Sequence, residues 1–156
     1  MDVTIAAIEE VYRRRYARFL RVATALTGDR ERAHDAVQEA FARAIRSRFS
    51  FRGEGSLEGW LWRTLANVCM DERRAAARVP PAEPPSANGR AEDWPELRAA
   101  VAALPERQRL ILFLRHYADL DYETIAAAAG VERGTVAATL HAAHAALRKA
   151  MTEVTR

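Results

Sequence analysis

The sequence predicts an all-α protein built as two small helical bundles joined by a flexible, proline-rich linker. Three observations predict it. Apolar residues recur at helical spacing along both halves of the chain. Alanine and arginine abound while glycine is sparse, with 7 in 156 residues, a balance that favours helix. Between the halves, Pro80, Pro81, Pro84 and Pro85 and then Ser86 to Gly89 form a stretch in which helix cannot persist. The boundaries expected are 1–78, a linker at 79–92, and 93–156.

Each element has its own signal. Apolar positions 5, 8, 12, 16, 19, 23 and 26 predict a first helix from about Thr4 to Leu26, stopped by Gly28. Asp29 is a good cap for a second helix burying Ala33, Val37, Phe41, Ala44 and Ile45. Its other face carries His34, Asp35, Gln38, Glu39, Arg43 and Arg46. Phe49 to Gly55 reads as a loop, because two glycines fall within three residues. Ser56 caps a third helix to about Arg78, with Leu57, Leu61, Leu65 and Val68 inward. In the second half, Asp93-Trp-Pro-Glu96 has the form of a capping box with proline in the first turn. That helix ends before Pro105. The next buries Leu110, Ile111, Phe113 and Leu114. Asp121 caps a short helix from Tyr122 to about Ala129, Gly130 supplies a left-handed turn, and a last helix runs from about Glu132 to Met151.

Composition narrows the function. No apolar run approaches the roughly 20 residues of a membrane span, and Met1-Asp-Val-Thr4 lacks the basic start of a signal peptide. A cytoplasmic protein without membrane insertion is expected. The single cysteine, Cys69, forms no internal disulfide and argues against a cysteine-based metal site. Residues 1–78 hold 15 Lys and Arg against 11 Asp and Glu, a net +4; residues 79–156 hold 9 against 10, a net −1. The basic first half suits a polyanion such as DNA, although a solvated arginine-rich surface would give the same count. No Walker loop, dinucleotide glycine fingerprint or His-Glu-x-x-His is present. No catalytic residues, metal ligands or cofactors are expected, and the protein is read as a non-enzyme.

Three constellations carry the function. The first is Asp35-Ala-Val-Gln-Glu-Ala-Phe41, an acidic, amide-bearing helix face that on general grounds could simply be solvated. The second is the third helix with Trp60, Trp62, Arg63, Asn67, Arg73 and Arg74, preceded by Phe51, Arg52 and Glu54 in the loop. Rings interleaved with arginines suit unpaired DNA, since rings stack on bases while guanidinium groups hold phosphates; Trp60 and Trp62 could equally serve the core. The third is the helix-turn-helix spacing Ile125-Ala126, Gly130, Val131, Val136, Leu140, which crosses two helices so that the second can enter a major groove.

Together and in this order, these segments resemble the compact extracytoplasmic-function (ECF) sigma factors of bacterial RNA polymerase. The resemblance runs from about Val11 to Ala150. It implies an alternative sigma factor that directs core polymerase to promoters. Asp35, Gln38, Glu39, Arg43 and Arg46 would then dock on the clamp helices of the β′ subunit, with Phe41 in the core. Phe51, Arg52, Glu54, Trp60, Arg63, Asn67, Arg73 and Arg74 would melt the −10 element and capture a flipped base. The second bundle, with Leu104-Pro-Glu-Arg-Gln-Arg109, would contact the β flap and read the −35 element through Arg133, Thr135, Ala138, His141, Arg148 and Lys149. Promoter DNA, polymerase and an anti-sigma factor or other regulator are the expected partners.

One departure stands out. Where the family's recognition helix is rich in cations, this one presents Ala137, Ala138, Thr139, His141, Ala142 and His144, and keeps only Arg133, Arg148 and Lys149. Phosphate neutralisation supplies most non-specific affinity, so weak duplex binding by this domain is expected. The departure motivates an alternative, a sigma-like interaction module that binds polymerase or a regulator with little DNA recognition of its own. His141 and His144, one turn apart, read as surface histidines because no third ligand stands nearby.

Overall fold

The computed structural model describes residues 3–53, 55–77 and 94–156. Among them are seven α-helices and no strand: α1 (Ile5–Thr27), α2 (Arg30–Arg46), α3 (Leu57–Ala77), α4 (Pro95–Ala102), α5 (Glu106–His116), α6 (Tyr122–Ala129) and α7 (Arg133–Val154). The expected linker at 79–92, the end of the third helix at Arg78, and the capping residue Asp93 lie outside the described residues.

The first bundle packs α1, α2 and α3 around one another. Thr4 caps α1 by accepting from the Ala7 N–H at 3.1 Å, and Gly28 ends it in the left-handed region at φ 75°. Asp29 caps α2 through the N–H groups of Glu31 and Arg32, and the Ser56 hydroxyl receives the Gly59 N–H at 3.0 Å at the start of α3. These local satisfactions fix where each helix begins. The core is aromatic at its centre. Phe19, Trp62, Val37 and Leu65 are almost wholly buried, with the Phe19 ring 4.1 Å from Trp62 and 5.2 Å from Phe41. The edge-on Phe19–Phe41 contact is one of the favoured arrangements of two rings. Arg15 and Glu58 tie α1 to α3 at 3.1 Å.

In the second bundle α5 is buried on most of its circumference, from Arg109 to Leu114. Leu112 joins the expected Leu110, Ile111, Phe113 and Leu114. The first residue of that run was unexpected, because a charged side chain rarely sits inside. The Arg109 guanidinium donates to the Ala102 carbonyl at 3.0 Å, satisfying one open carbonyl at the end of α4, and burial draws its pKa down. Trp94 occupies the cap position of α4 with no side-chain cap bond. Helices α4, α5 and α6 all pack on α7.

Candidate functional site

Helix α2 is inward on Ala33, Ala36, Val37, Ala40, Phe41 and Ala44. Its remaining face is therefore offered outward. Asp35, Gln38, Arg43 and Arg46 are exposed, and Glu39 is half-exposed. Glu39 holds both arginines, Arg43 at 2.8 Å and Arg46 at 3.2 Å, and the Arg43 hydrogen bond keeps its carboxyl below the usual range. Arg43 reaches a second carboxylate, Asp71 of α3, at 3.7 Å. The face is thus a charge network whose arginines are already paired, with Asp35 and Gln38 at its outer end. Gln38 donates to the Tyr12 hydroxyl at 3.2 Å. His34, expected on the same open face, is instead half-buried and bonded to the Tyr16 hydroxyl at 2.7 Å.

Two neighbours of this face were not read from the sequence. Glu72 of α3 approaches Asp35, and its carboxyl is pushed up by burial first and by Asp35 next. An apolar groove lined by Ile5, Ile8, Tyr12, Phe41, Ala42 and Ile45 runs beside Gln38. The signal was present: the α1 stripe 5, 8, 12 extends past what α2 covers, leaving Ile5 47% exposed.

The loop before α3 begins with a 3-10 turn, Arg48–Ser50. Phe51 packs on Trp60 with ring centres 5.4 Å apart, and Arg52 is exposed. Glu54 lies outside the described residues. Phe49, not among the expected site residues, is 69% exposed, with the Arg48 guanidinium 4.3 Å above its ring. Of the two tryptophans of α3, Trp62 is core and Trp60 is half-buried at the surface. Arg63, Asn67, Arg73 and Arg74 are exposed. With Trp60, three of them (Arg63, Asn67 and Arg74) fall on one side of α3 by their spacing. Cys69, on the inner side, is buried, and its thiol is pushed up to about 12 by that burial. It therefore stays protonated and unreactive at neutral pH.

The helix-turn-helix is formed by α6 and α7. The Asp121 side chain accepts the Thr124 N–H at 2.7 Å. Gly130 takes φ 68°, and the Gly130 and Val131 N–H groups both donate to the Ala126 carbonyl. A residue with a Cβ is strained in that conformation, which is why glycine stands at the turn. On α7, Val136, Leu140 and Ala143 face inward. Arg133, Thr135, Ala138, His141, Arg148 and Lys149 are all exposed, and Ala137, Ala142, Ala145 and Ala146 lie exposed between them. His144 does not pair with His141. It meets His116 of α5, Nε2 to Nε2 at 3.0 Å. Among the described residues no three His, Cys, Asp or Glu side chains are grouped to hold a metal.

The two bundles touch along α3 and α6. Gly59 is buried there, and a Cβ at that position would lie 3.0 Å from the Ala127 Cβ. The Arg63 guanidinium rests against the turn, 3.5 Å from where a Cβ of Gly130 would be. It shares a polar cleft with Arg107, Glu132 and Thr135. Arg18 donates to the Ala118 carbonyl at 3.1 Å, and Arg74 pairs with Glu106 at 3.4 Å.

Comparison with known proteins joins these observations. Residues 11–79 match the family model of sigma-70 region 2, and residues 95–147 match that of sigma-70 region 4. The chain belongs to the sigma-70 family. Within it, the chain is a sigma factor of the ECF group. It is 32% identical to the RNA polymerase sigma-E factor of Streptomyces antibioticus, over 93% of this chain and 84% of that protein. It is 29% identical to the sigma factor YlaC of Bacillus subtilis, over 94% and 93%. It is also 32% identical to the ECF sigma factor SigE of Mycolicibacterium smegmatis, over 90% of this chain and 60% of the length of that relative. Two solved structures share the helical fold of this sigma factor. CnrH in complex with the cytosolic domain of CnrY superposes with a TM-score of 0.73 at 18% identity, covering 96% of this chain and 90% of the other. RpoE in complex with the anti-sigma factor NepR, from Bartonella quintana, gives 0.66 at 24%, covering 92% and 98%. Sigma factors are regulators rather than enzymes. No helix among the described residues of this one is long and apolar enough to cross a membrane.

Proposed function

We propose that this sigma factor works as two units in the cytoplasm, without catalysis of its own. Residues 1–78 dock on core polymerase and open the −10 region. Residues 93–156 contact the β flap and the −35 region, and an anti-sigma factor or other regulator controls the whole. The observation that carries the reading is the outward face of α2. Asp35 and Gln38 stand exposed while Phe41 and Ala44 are buried on the opposite side, so this face can bind a partner without disturbing the core. Its partner is the β′ clamp, with Asp35, Gln38, Glu39, Arg43 and Arg46 as contacts. Phe51, Arg52, Trp60, Arg63, Asn67, Arg73 and Arg74 form the surface for the opened strand, with exposed Phe49 as a further ring for base stacking. Glu54 is assigned to the same surface from sequence alone.

Run-off transcription tests this reading. Core polymerase supplied with the chain initiates from promoters that core polymerase alone ignores, and cloned 5′ transcript ends reveal a common motif. Polymerase binding without any initiation would overturn the reading.

A second reading, a sigma-like interaction module with little DNA recognition, draws on the surface of α7. Its exposed positions are mostly alanine, and only Arg133, Arg148 and Lys149 carry firm positive charge. The same run-off assay separates the two.

A further inference from the structure

The polar cleft beside the turn of the helix-turn-helix has a lining that neither the docking face nor the DNA surface accounts for. Its volume is about 500 Å³, within the range of pockets that hold small molecules. We infer that it binds a nucleoside diphosphate or triphosphate, the phosphates held by Arg63 and Arg107 and a hydrogen-bond donor of the base or sugar held by Glu132. The inference does not depend on the reading of α3 as a surface for unpaired DNA.

Three observations carry it. First, two guanidinium groups line one cleft from different helices, Arg63 from α3 and Arg107 from α5. Neither has an ion-pair or hydrogen-bond partner among the described residues. Nearby arginines differ: Arg18 donates to the Ala118 carbonyl, Arg109 donates to the Ala102 carbonyl, and Arg74 pairs with Glu106. Two like charges brought to one cleft repel, and an anion between them turns repulsion into attraction. A diphosphate offers one charged group to each guanidinium, whose planar fork matches phosphate oxygens. Second, Arg63 is already placed. Its guanidinium lies along the turn, 3.5 to 3.9 Å from where a Cβ on Gly130 would be, so less side-chain freedom is lost when a ligand binds. Third, the wall supplied by α7 offers donors. Thr135 adds a hydroxyl. The cap residue Glu132 makes no side-chain cap bond, and the Thr135 and Val136 N–H groups both donate to its carbonyl. The Arg133 and Gly134 N–H groups are left without an intrahelical partner, and they lie at the positive end of the helix dipole.

Glu132 sets the class of ligand. A carboxylate beside two guanidinium groups weakens the hold on a bare phosphate, so it selects a molecule that also carries a donor. A nucleotide has both parts, phosphates for the arginines and base N–H or ribose O–H groups for the carboxylate. Arg63 also belongs to the surface proposed for the opened strand, so a nucleotide and a strand phosphate exclude each other at its guanidinium.

Calorimetric titration of the full chain with ADP, without magnesium and at constant ionic strength, tests the inference. ADP should half-saturate the protein below about 1 mM. Arg63→Gln and Arg107→Gln should each weaken binding about tenfold, the worth of one charge-assisted hydrogen bond. Both side chains are exposed, so neither change disturbs the core, and circular dichroism checks that helicity is kept. Arg14→Gln, at an exposed arginine of α1 outside the cleft, should leave ADP binding unchanged. Inorganic pyrophosphate should bind more weakly than ADP, and Glu132→Gln should narrow that gap by weakening ADP and strengthening pyrophosphate. Labelled oligothymidylate should bind Arg107→Gln as it binds the unmodified chain. No saturable binding of ADP, or an equal loss in Arg14→Gln, overturns the site. Pyrophosphate that binds as tightly as ADP overturns the nucleotide class. Loss of oligothymidylate binding but not of ADP binding in Arg107→Gln gives the cleft to a nucleic-acid strand and also overturns the inference.

Discussion

At the scale of single residues, the α2 face divides into paired and unpaired charge. Arg43 and Arg46 are held by Glu39, so much of their charge is spent within the face. Asp35 and Gln38 remain for a partner. Replacing both with Arg should abolish co-purification with core polymerase while leaving helicity unchanged, because both are exposed and only the Gln38 bond to the Tyr12 hydroxyl is given up. Undiminished capture of polymerase by the double variant would remove α2 from the docking surface. His116 offers a second residue-scale prediction. Burial, then His144 and Arg115, lower its pKa below the ordinary value. The folded state therefore takes up a proton less readily than the unfolded chain. Its stabilising contribution is full above the unfolded value of about 6.5 and is lost as pH falls through it. The melting temperature should drop between neutral pH and about pH 5.5, and His116→Gln should flatten that drop. An unchanged profile in the variant would show that another group titrates. These residues mark a boundary of legibility. Asp35 and Gln38 could be read from spacing, since one helix face sufficed. The His116 to His144 bond joins residues 28 apart and depends on how α5 crosses α7, which no local pattern encodes.

At the scale of the helix, caps and stripes were readable because their signals are local. Asp29, Ser56 and Asp121 all cap where their side chains suggest, while Thr4, expected as the first residue of its helix, is instead its cap. Trp62 and Trp60 were not separable in advance, since either could have faced the Phe19 ring; the α1–α3 crossing decides that Trp62 does. The α3 face carries its own prediction. Arg52→Ala and Asn67→Ala should each reduce permanganate reactivity of the melted region more than they reduce initial polymerase binding. Unaltered footprints in both would end the assignment of that face to strand opening. Helix α7 gives a prediction of opposite sense, set by what it lacks. With few cations on its exposed side, residues 92–156 should bind promoter duplex weakly and with a shallow salt dependence. Each phosphate contact contributes about 0.9 to the log–log slope. Adding Ala138→Arg and Ala142→Arg should steepen the slope by about two such contacts if α7 lies in the groove. Tight, steeply salt-dependent binding by the unmodified segment would contradict this account of its surface.

For the whole molecule, each bundle contributes its own buried side chains to one continuous apolar cluster. Ile8, Phe19, Val37, Trp62 and Leu65 close the first; Ile111, Leu114, Ile125 and Val136 close the second. Residues 1–78 and 93–156 expressed separately should both be helical, and their summed circular dichroism should equal that of the full chain. A half that stays unfolded alone would show that the contact between α3 and α6 contributes to stability. The break between α1 to α3 and α4 to α7 was legible because prolines interrupt the helical pattern between them. Their contact was not, because Gly59 and Ala127 look in sequence like any small helical residues, and only their juxtaposition gives them meaning.

That juxtaposition also constrains how such a chain can change over generations. Two bundles on a linker look like interchangeable parts, open to exchange between relatives by recombination. A buried glycine facing an alanine narrows that freedom. A foreign first bundle with a side chain at the place of Gly59 would set its Cβ 3.0 Å from the Ala127 Cβ, and one of the two helices would have to give way. A newcomer that carries glycine at that spot fits without any such shift.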